Sequence, residues 1–177
     1  GALSMNPMKV LGGFGEAGAV VTDDEHVYQK LKILRHAGTT SDPARKITND
    51  CHHIALNHKI DTINAAMLLV ILDQLPERMR KRELIACRYN HYLPKQVVVQ
   101  KLRRGETAAR YVYPIQVPHR DALRKYLEAQ GIETKIMHEP LICDAPAYQD
   151  LPRPSIPVAR GILASSLVIP ANEKLEE

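Results

Sequence analysis

Long apolar runs are missing from this chain of 177 residues, and no charged and then apolar leader opens it. A helix that crosses a bilayer needs about 20 consecutive apolar residues, and an export signal needs an apolar core behind a basic start. Neither membrane insertion nor export is therefore predicted, and a cytoplasmic location is expected. The hydrophobic content of 45% still suffices for the core of one domain or of two small ones.

Cysteine is scarce, and charge of one sign is not in large excess. Cys51, Cys87 and Cys143 are far apart and lack the paired spacing of a zinc site or a disulfide framework. The pair His52 and His53 has no further ligands at metal spacing, so no metal site is expected. The net charge of +4 is spread among acidic residues, which disfavours a nucleic-acid partner but permits a phosphorylated small molecule.

The first half of the chain shows a glycine-rich turn followed by helical patterns. These features predict a loop and strand within 12–21, a helix over 24–37 stopped by Gly38, an extended loop over 39–58, and a long helix over 61–93. Pro76 is expected to kink or divide the long helix, because proline removes a backbone N–H.

The second half predicts a small α/β unit. The expected elements are a strand at 97–99, a charged loop at 101–109, a strand at 111–117, a helix at 121–130, a strand at 132–136, an irregular stretch at 144–157 and a short helix at 158–165. Pro114 predicts an edge or bulged strand at 111–117.

The segment Ser4 to Asp24 carries the strongest motif. It contains Pro7, Lys9, a glycine-rich turn that carries the acidic Glu16, and then Gly-Ala-Val-Val-Thr from Gly18. The segment resembles the cofactor-lysine segment of the DegT/DnrJ/EryC1/StrS sugar aminotransferases, whose typical form is Ser-Phe-x-Pro-x-Lys-x-Leu-Gly followed by such a turn. These are pyridoxal-phosphate-dependent enzymes of fold type I, like aspartate aminotransferase.

Further blocks are similar to the same family in the same order. They are Leu31 to Gly38, Ala55 to Asp61, Ile63 to Ala66, Arg120 to Ile132 and His138 to Tyr148. The resemblance implies an α/β fold that comprises the end of the large cofactor domain (1–60), a connecting helix (61–93) and a small carboxy-terminal domain (94–177).

The resemblance also implies the cofactor and the residues that hold it. A lysine amine can condense with the aldehyde of pyridoxal 5'-phosphate and afterwards serve as a general acid and base. Both roles are implied for Lys9, and phosphate contacts are implied for Ser4 and for Asn57, the latter reaching the neighbouring subunit. Glu16 is interpreted as structural or exposed.

By the same resemblance, the activity is transfer of an amino group from glutamate or glutamine to a nucleotide-linked keto sugar in a homodimer with shared sites. His58, Lys59 and His138 are candidate substrate contacts. His58 and Lys59 replace the Tyr and Arg of the common pattern, and a lysine cannot make the bidentate contacts of an arginine.

Such enzymes also need a carboxylate at the pyridine nitrogen, which in the family precedes the lysine by a long stretch. We therefore expect this chain to be the carboxy-terminal part of the enzyme and to lack turnover by itself. Two alternatives stay open: a related enzyme that acts on a cyclitol or an aromatic precursor, and a non-catalytic regulatory or interaction module derived from the same fold.

Overall fold

The computed structural model of the protein describes residues 1–39 and 50–175. These residues form two compact units, Gly1–Leu75 and Pro76–Glu177. Half of the extended loop predicted over 39–58 lies outside the described residues, and its described part contains isolated bridges but no helix or strand.

The first unit begins with a two-stranded antiparallel sheet. Strand Ala2–Ser4 (β1) pairs with strand Gly18–Val20 (β2), so that Ser4 lies opposite Gly18. The strand predicted within 12–21 is confirmed as β2. β1 was not predicted, because three residues are too few to show an alternating pattern.

Helix α1 covers Glu25–Arg35, slightly less than predicted. The Asp24 carboxylate accepts the N–H of Val27 at 3.0 Å and so caps the first turn. Gly38 has a φ of 75°, and its N–H donates to the Ile33 carbonyl at 3.0 Å. Gly38 therefore ends the helix as predicted, in a left-handed conformation that glycine adopts without steric penalty.

Helix α2 covers Thr62–Tyr92, which confirms the long helix predicted over 61–93. Asp61 starts it by accepting the N–H of Ile63 at 2.8 Å. Of the two predicted effects of Pro76, division of the helix is wrong, because the proline removes one N–H only and good helix formers follow on both sides. A kink at Pro76 stays a prediction. The boundary between the two compact units falls at this proline.

The second unit contains a three-stranded antiparallel sheet in the order β3-β4-β5. Its strands are Val98–Val99 (β3), Tyr113–Gln116 (β4) and Ser166–Ile169 (β5). β3 and β4 confirm the strands predicted at 97–99 and 111–117, whereas β5 was not predicted.

β4 is the central strand of this sheet. The prediction that Pro114 marks an edge or bulged strand is therefore wrong. Val117 donates its N–H to the Ser165 carbonyl at 3.0 Å. Because N–H directions alternate along a strand, the nitrogen of Pro114 faces away from β5. On that side β3 pairs only with Ile115 and Gln116. The missing N–H of Pro114 therefore removes no ladder bond.

The prediction of a strand at 132–136 is also wrong. Lys135 alone bridges to Val168 of β5, donating its N–H at 3.0 Å and accepting the Val168 N–H at 2.8 Å. The chain turns at Met137, so pairing stops after one residue.

The remaining helices confirm their predictions. Helix α3 covers Arg120–Ala129, and Gly131 follows it with a φ of 75°. Helix α4 covers Pro157–Ser165 and begins with a proline, which is tolerated there because the first N–H of a helix has no partner. The irregular stretch before α4 holds two single-turn 3-10 helices, Ile142–Asp144 and Pro146–Tyr148.

The core of the second unit joins α2 to the two longer strands. Its buried residues are Ala86, Tyr113, Ile115, Leu167, Ile169 and Ala171. Leu167 is fully buried, and burial of a side chain of that size contributes about 2 kcal/mol. The packing of α2 against β4 and β5 therefore stabilises this unit.

Arg82 of α2 organises the edge of the same core. Its side chain is 9% exposed and forms an ion pair with Glu173 at 2.6 Å. It also donates to the carbonyls of Arg110 at 2.9 Å and of Tyr111 and Ala171 at 3.2 Å. One guanidinium thus joins the helix to the segments before β4 and after β5.

Fewer hydrophobic residues are buried in the described part of the first unit than in the second. Among its described hydrophobic residues, Val10 and Leu68 are buried. The side chains that stay exposed include Leu3, Val20, Ile54, Ile63, Leu69 and Val70. An apolar surface of this kind is typical of a region that packs against further protein.

None of the helices in 1–39 and 50–175 combines the length and the apolar character that crossing a membrane requires.

Candidate functional site

Lys9 lies at the end of a β-turn whose residue types explain its shape. Its N–H donates to the Asn6 carbonyl at 2.8 Å, and the Asn6 side-chain oxygen accepts the N–H of Met8 at 2.9 Å. Pro7 fixes φ at the second position of the turn, and Asn at the first position is a common turn former. The lysine is half-buried and is followed by the buried Val10. The shape of this turn is therefore set by its own residues.

The loop that carries Lys9 is closed at its base. The N–H of Met5 donates to the Ala17 carbonyl, and the Met5 carbonyl accepts the N–H of Gly13, both at 2.9 Å. The Asn6 amide donates to Glu16 at 2.7 Å. Glu16 is exposed and bonded to the loop, in agreement with its interpretation as a structural residue.

Two glycines pack where no side chain fits. A Cβ on Gly12 would lie 2.5 Å from the Pro7 carbonyl oxygen and 2.9 Å from that of Lys9. A Cβ on Gly13 would lie 2.6 Å from the side-chain oxygen of Asn64. The glycine turn therefore folds tightly over the lysine segment, which explains why glycine occurs at these two positions.

Asn64 and Asn6 are site residues that sequence reasoning did not identify. Asn64 comes from α2, and its amide oxygen accepts the N–H of Phe14 at 3.1 Å. A signal for it existed, because Asn64 is an amide within the otherwise apolar stretch from Ile63 to Leu72. The role of Asn6 could have been inferred from the turn chemistry of Asn-Pro.

Ser4 ends β1, at the base of the same loop. Its hydroxyl oxygen accepts the N–H of Asn6 at 3.5 Å, the upper limit of a hydrogen bond, and the residue is exposed. The structure thus brings Ser4 and Lys9 into one loop.

Asn57, His58 and Lys59 lie together in the first unit. They line a cleft of about 1260 Å³ together with residues of β2 and α1, and Ser4 and Lys9 are not among its lining residues. The N–H of His58 donates to the Arg35 carbonyl at 3.0 Å, and this contact attaches the segment to the end of α1.

Several basic side chains line this cleft. The basic side chains along it are Lys32, Arg35 and Lys59, with Glu16 as the acidic one. Such a surface favours an anionic ligand.

His138 belongs to the second compact unit. It is exposed and lies in the turn that follows Ile136.

Comparison with known proteins gives a consistent result along the whole chain. The model of the DegT/DnrJ/EryC1/StrS aminotransferase family matches residues 1–177. The chain is 29% identical to the erythromycin biosynthesis sensory transduction protein EryC1 of Saccharopolyspora erythraea, covering 98% of this chain and 47% of that protein. It is also 29% identical to dTDP-3-amino-3,4,6-trideoxy-alpha-D-glucose transaminase of Streptomyces venezuelae, covering 99% and 46%. The chain thus spans about half the length of these curated relatives.

The fold agrees with that relationship. A crystal structure of a DegT DnrJ EryC1 StrS aminotransferase from Brucella abortus superposes with a TM-score of 0.88 at 32% identity, over 100% of this chain and 47% of that one. The expected α/β fold class is therefore confirmed. The chain belongs to the DegT/DnrJ/EryC1/StrS aminotransferase family.

Proposed function

We propose that the protein is a pyridoxal-phosphate-dependent aminotransferase that transfers an amino group from glutamate or glutamine to a nucleotide-linked keto sugar. The observation that carries the proposal is the position of Lys9 on a turn that hydrogen bonds and two close-packed glycines hold in place. A relative of similar sequence is named as a dTDP-amino-sugar transaminase, which supports the sugar substrate.

The residues of the chain fit the cofactor. Lys9 supplies an amine, Ser4 supplies a hydroxyl donor for a phosphate, and Asn57 supplies an amide donor. Gly12 packs so closely against the carbonyl oxygens of Pro7 and Lys9 that a Cβ would not fit between them. When bound, pyridoxal phosphate would act as the electron sink that makes the transfer of the amino group possible.

Lys9 would first hold the cofactor and then, once a donor amino acid replaces it, move a proton at the reacting carbon. A flexible four-carbon side chain suits both tasks, while the fixed backbone of the turn limits where the amine can reach. His58, Lys59 and His138 stay proposed contacts of the substrate.

We also propose a homodimer with shared sites. Asn57 lines a cleft whose lining residues do not include Lys9. This arrangement supports a role in which Asn57 contacts the cofactor phosphate of the neighbouring subunit. The domain division at residues 60 and 93 stays a prediction. A mixture of K9A and N57A subunits tests the shared site, because a heterodimer would contain one site with both residues intact and would regain activity.

Spectroscopy and mass analysis test the cofactor role. The protein, purified at the full length that its gene encodes, is mixed with pyridoxal phosphate, reduced with borohydride, digested and analysed by mass spectrometry. We expect a yellow protein with the label on Lys9, no label in K9A and full label in K30A, a matched control at an exposed lysine of α1. A label on another lysine, or on none, contradicts the proposal.

Substrate specificity is tested on the same protein. Glutamate and glutamine should each be offered as the donor, and a panel of nucleotide-linked keto sugars as the acceptor. Turnover with a cyclitol or an aromatic acceptor instead would favour the related-enzyme alternative.

A regulatory function is the second candidate, because one relative is named as a sensory transduction protein. A colourless full-length protein in which Lys9 remains unlabelled would favour it.

A further inference from the structure

Asn64 is an amide in an apolar part of α2. The helix is apolar from Ile63 to Leu72 apart from this residue, and Asn64 is half-buried. A buried amide is unfavourable unless it is hydrogen-bonded. The group to which the Asn64 amide is hydrogen-bonded therefore indicates why an amide occurs at this position.

The Asn64 amide faces the backbone of the glycine turn. Its oxygen accepts the N–H of Phe14 at 3.1 Å. The same oxygen would lie 2.6 Å from a Cβ on Gly13, and the amide nitrogen 3.7 Å from a Cβ on Gly15. One side chain thus lies along three consecutive residues of the turn.

Packing of Phe14 does not hold the turn. Phe14 is 74% exposed, so burial of its ring contributes little. The N–H of Phe14 is instead satisfied by a residue 50 positions away in the sequence. The neighbouring Gly13 donates its N–H to the Met5 carbonyl, which connects the anchored turn to the start of the lysine segment.

We infer that Asn64 is a positioning residue of the Lys9 site. It fixes the glycine turn to α2, and the turn in turn fixes the backbone of Lys9. This inference rests on the proposed function, since a cofactor on Lys9 is what the positioning serves.

The test uses the full-length protein and variants at one position. N64A and N64L both remove the acceptor oxygen, one with a smaller and one with a similarly sized side chain, whereas N64D keeps an acceptor. Q74L is the matched control, because Gln74 is an exposed amide on the same helix.

Two readouts are measured. Hydrogen exchange of the Phe14 amide is followed without cofactor, and borohydride labelling of Lys9 is followed as a function of pyridoxal phosphate concentration. Loss of one net hydrogen bond predicts exchange about five- to tenfold faster in N64A and N64L, with a similar rise in the cofactor concentration for half-maximal labelling. N64D and Q74L should stay within about twofold of the parent, because both retain an acceptor at position 64.

The outcomes separate the inference from the proposed function. Exchange in both N64A and N64L at the rate of the parent contradicts the anchor. Faster exchange with unchanged labelling contradicts the positioning of Lys9, while the proposed function stands. If the parent itself takes no label on Lys9, the proposed function fails, and the inference fails with it.

Discussion

Substitution of Gly12 by alanine should displace the segment that carries Lys9. The added Cβ would lie 2.5 Å from the Pro7 carbonyl oxygen and 2.9 Å from that of Lys9. Because real Cβ contacts stay above 3.0 Å and both neighbours are backbone atoms, something must shift by about 0.5 Å. Strain of this kind costs about 1–3 kcal/mol, and the displaced atoms include the carbonyl oxygen of Lys9, the residue proposed to bind the cofactor.

The expected functional loss follows from that displacement. A misplacement of about 1 Å at a reacting group can cost about a hundredfold in rate, so a shift of half that size should cost about tenfold. G15A is the matched control, because a Cβ there meets only Asn64 at 3.7 Å, an ordinary contact. Borohydride should therefore fix the cofactor on Lys9 about tenfold more slowly in G12A, and at the rate of the parent in G15A.

The assay compares the rate at which borohydride fixes the cofactor on Lys9 in full-length parent, G12A and G15A. Thermal unfolding of each protein is measured in parallel, since G12A should also unfold at a lower temperature. Equal labelling rates in G12A and G15A would refute the argument that the glycine at position 12 is required by the packing of the lysine turn.

Three further predictions concern the scaffold. R82M should lower the free energy of unfolding of the second unit by about 3 kcal/mol, because it removes one partner of a buried pair; native-state hydrogen exchange measures the loss, and a loss below about 1 kcal/mol would contradict it. Burial by itself raises the pKa of Glu173, but a backbone N–H and Arg82 outweigh it and lower the pKa below 4.5. This contribution to stability is complete above pH 4.5 and is lost as the pH falls through the lowered pKa, so an acid titration of stability should be flatter in E173Q; parallel curves would argue against the pair. G38A should destabilise more than G131A, because both glycines have a φ of 75° but only a Cβ on Gly38 would collide with a neighbouring group, the carbonyl oxygen of His53. G131A should cost about 1 kcal/mol for its φ, and equal melting temperatures for the two variants would exclude this difference.

Arg82 shows why some of the fold could not be predicted from the sequence. Nothing near it in the chain indicates that it would pair with Glu173, 91 positions away. The pattern around it predicts a helix surface, and a charged residue there is normally solvated. The pairing depends on where the ends of β4 and β5 meet the helix.

For the candidate site as well, the sequence indicated the residues but not their arrangement in space. The resemblance identified Ser4, Lys9, Asn57, His58, Lys59 and His138 by residue type and order, and their roles stay predictions. It could not show that Asn57 to Lys59 line one cleft with residues of β2 and α1. A cleft of this kind arises from tertiary packing and is not encoded in any short motif.

The sequence by itself determined the local features of this protein. The caps at Asp24 and Asp61, the stop at Gly38 and the Asn-Pro turn before Lys9 all act within a few residues through sterics and side-chain hydrogen bonds. The family follows from the same local motifs taken together.

Only the tertiary structure decided the contacts between distant residues. It placed Pro114 in a central strand beyond the end of β3, limited the pairing of Lys135 to one bridge, and brought Asn64 to the turn after Lys9. The physical reason is that a backbone N–H or carbonyl needs a hydrogen-bond partner, and at these positions the partner, or its absence beside Pro114, is decided only when the elements pack.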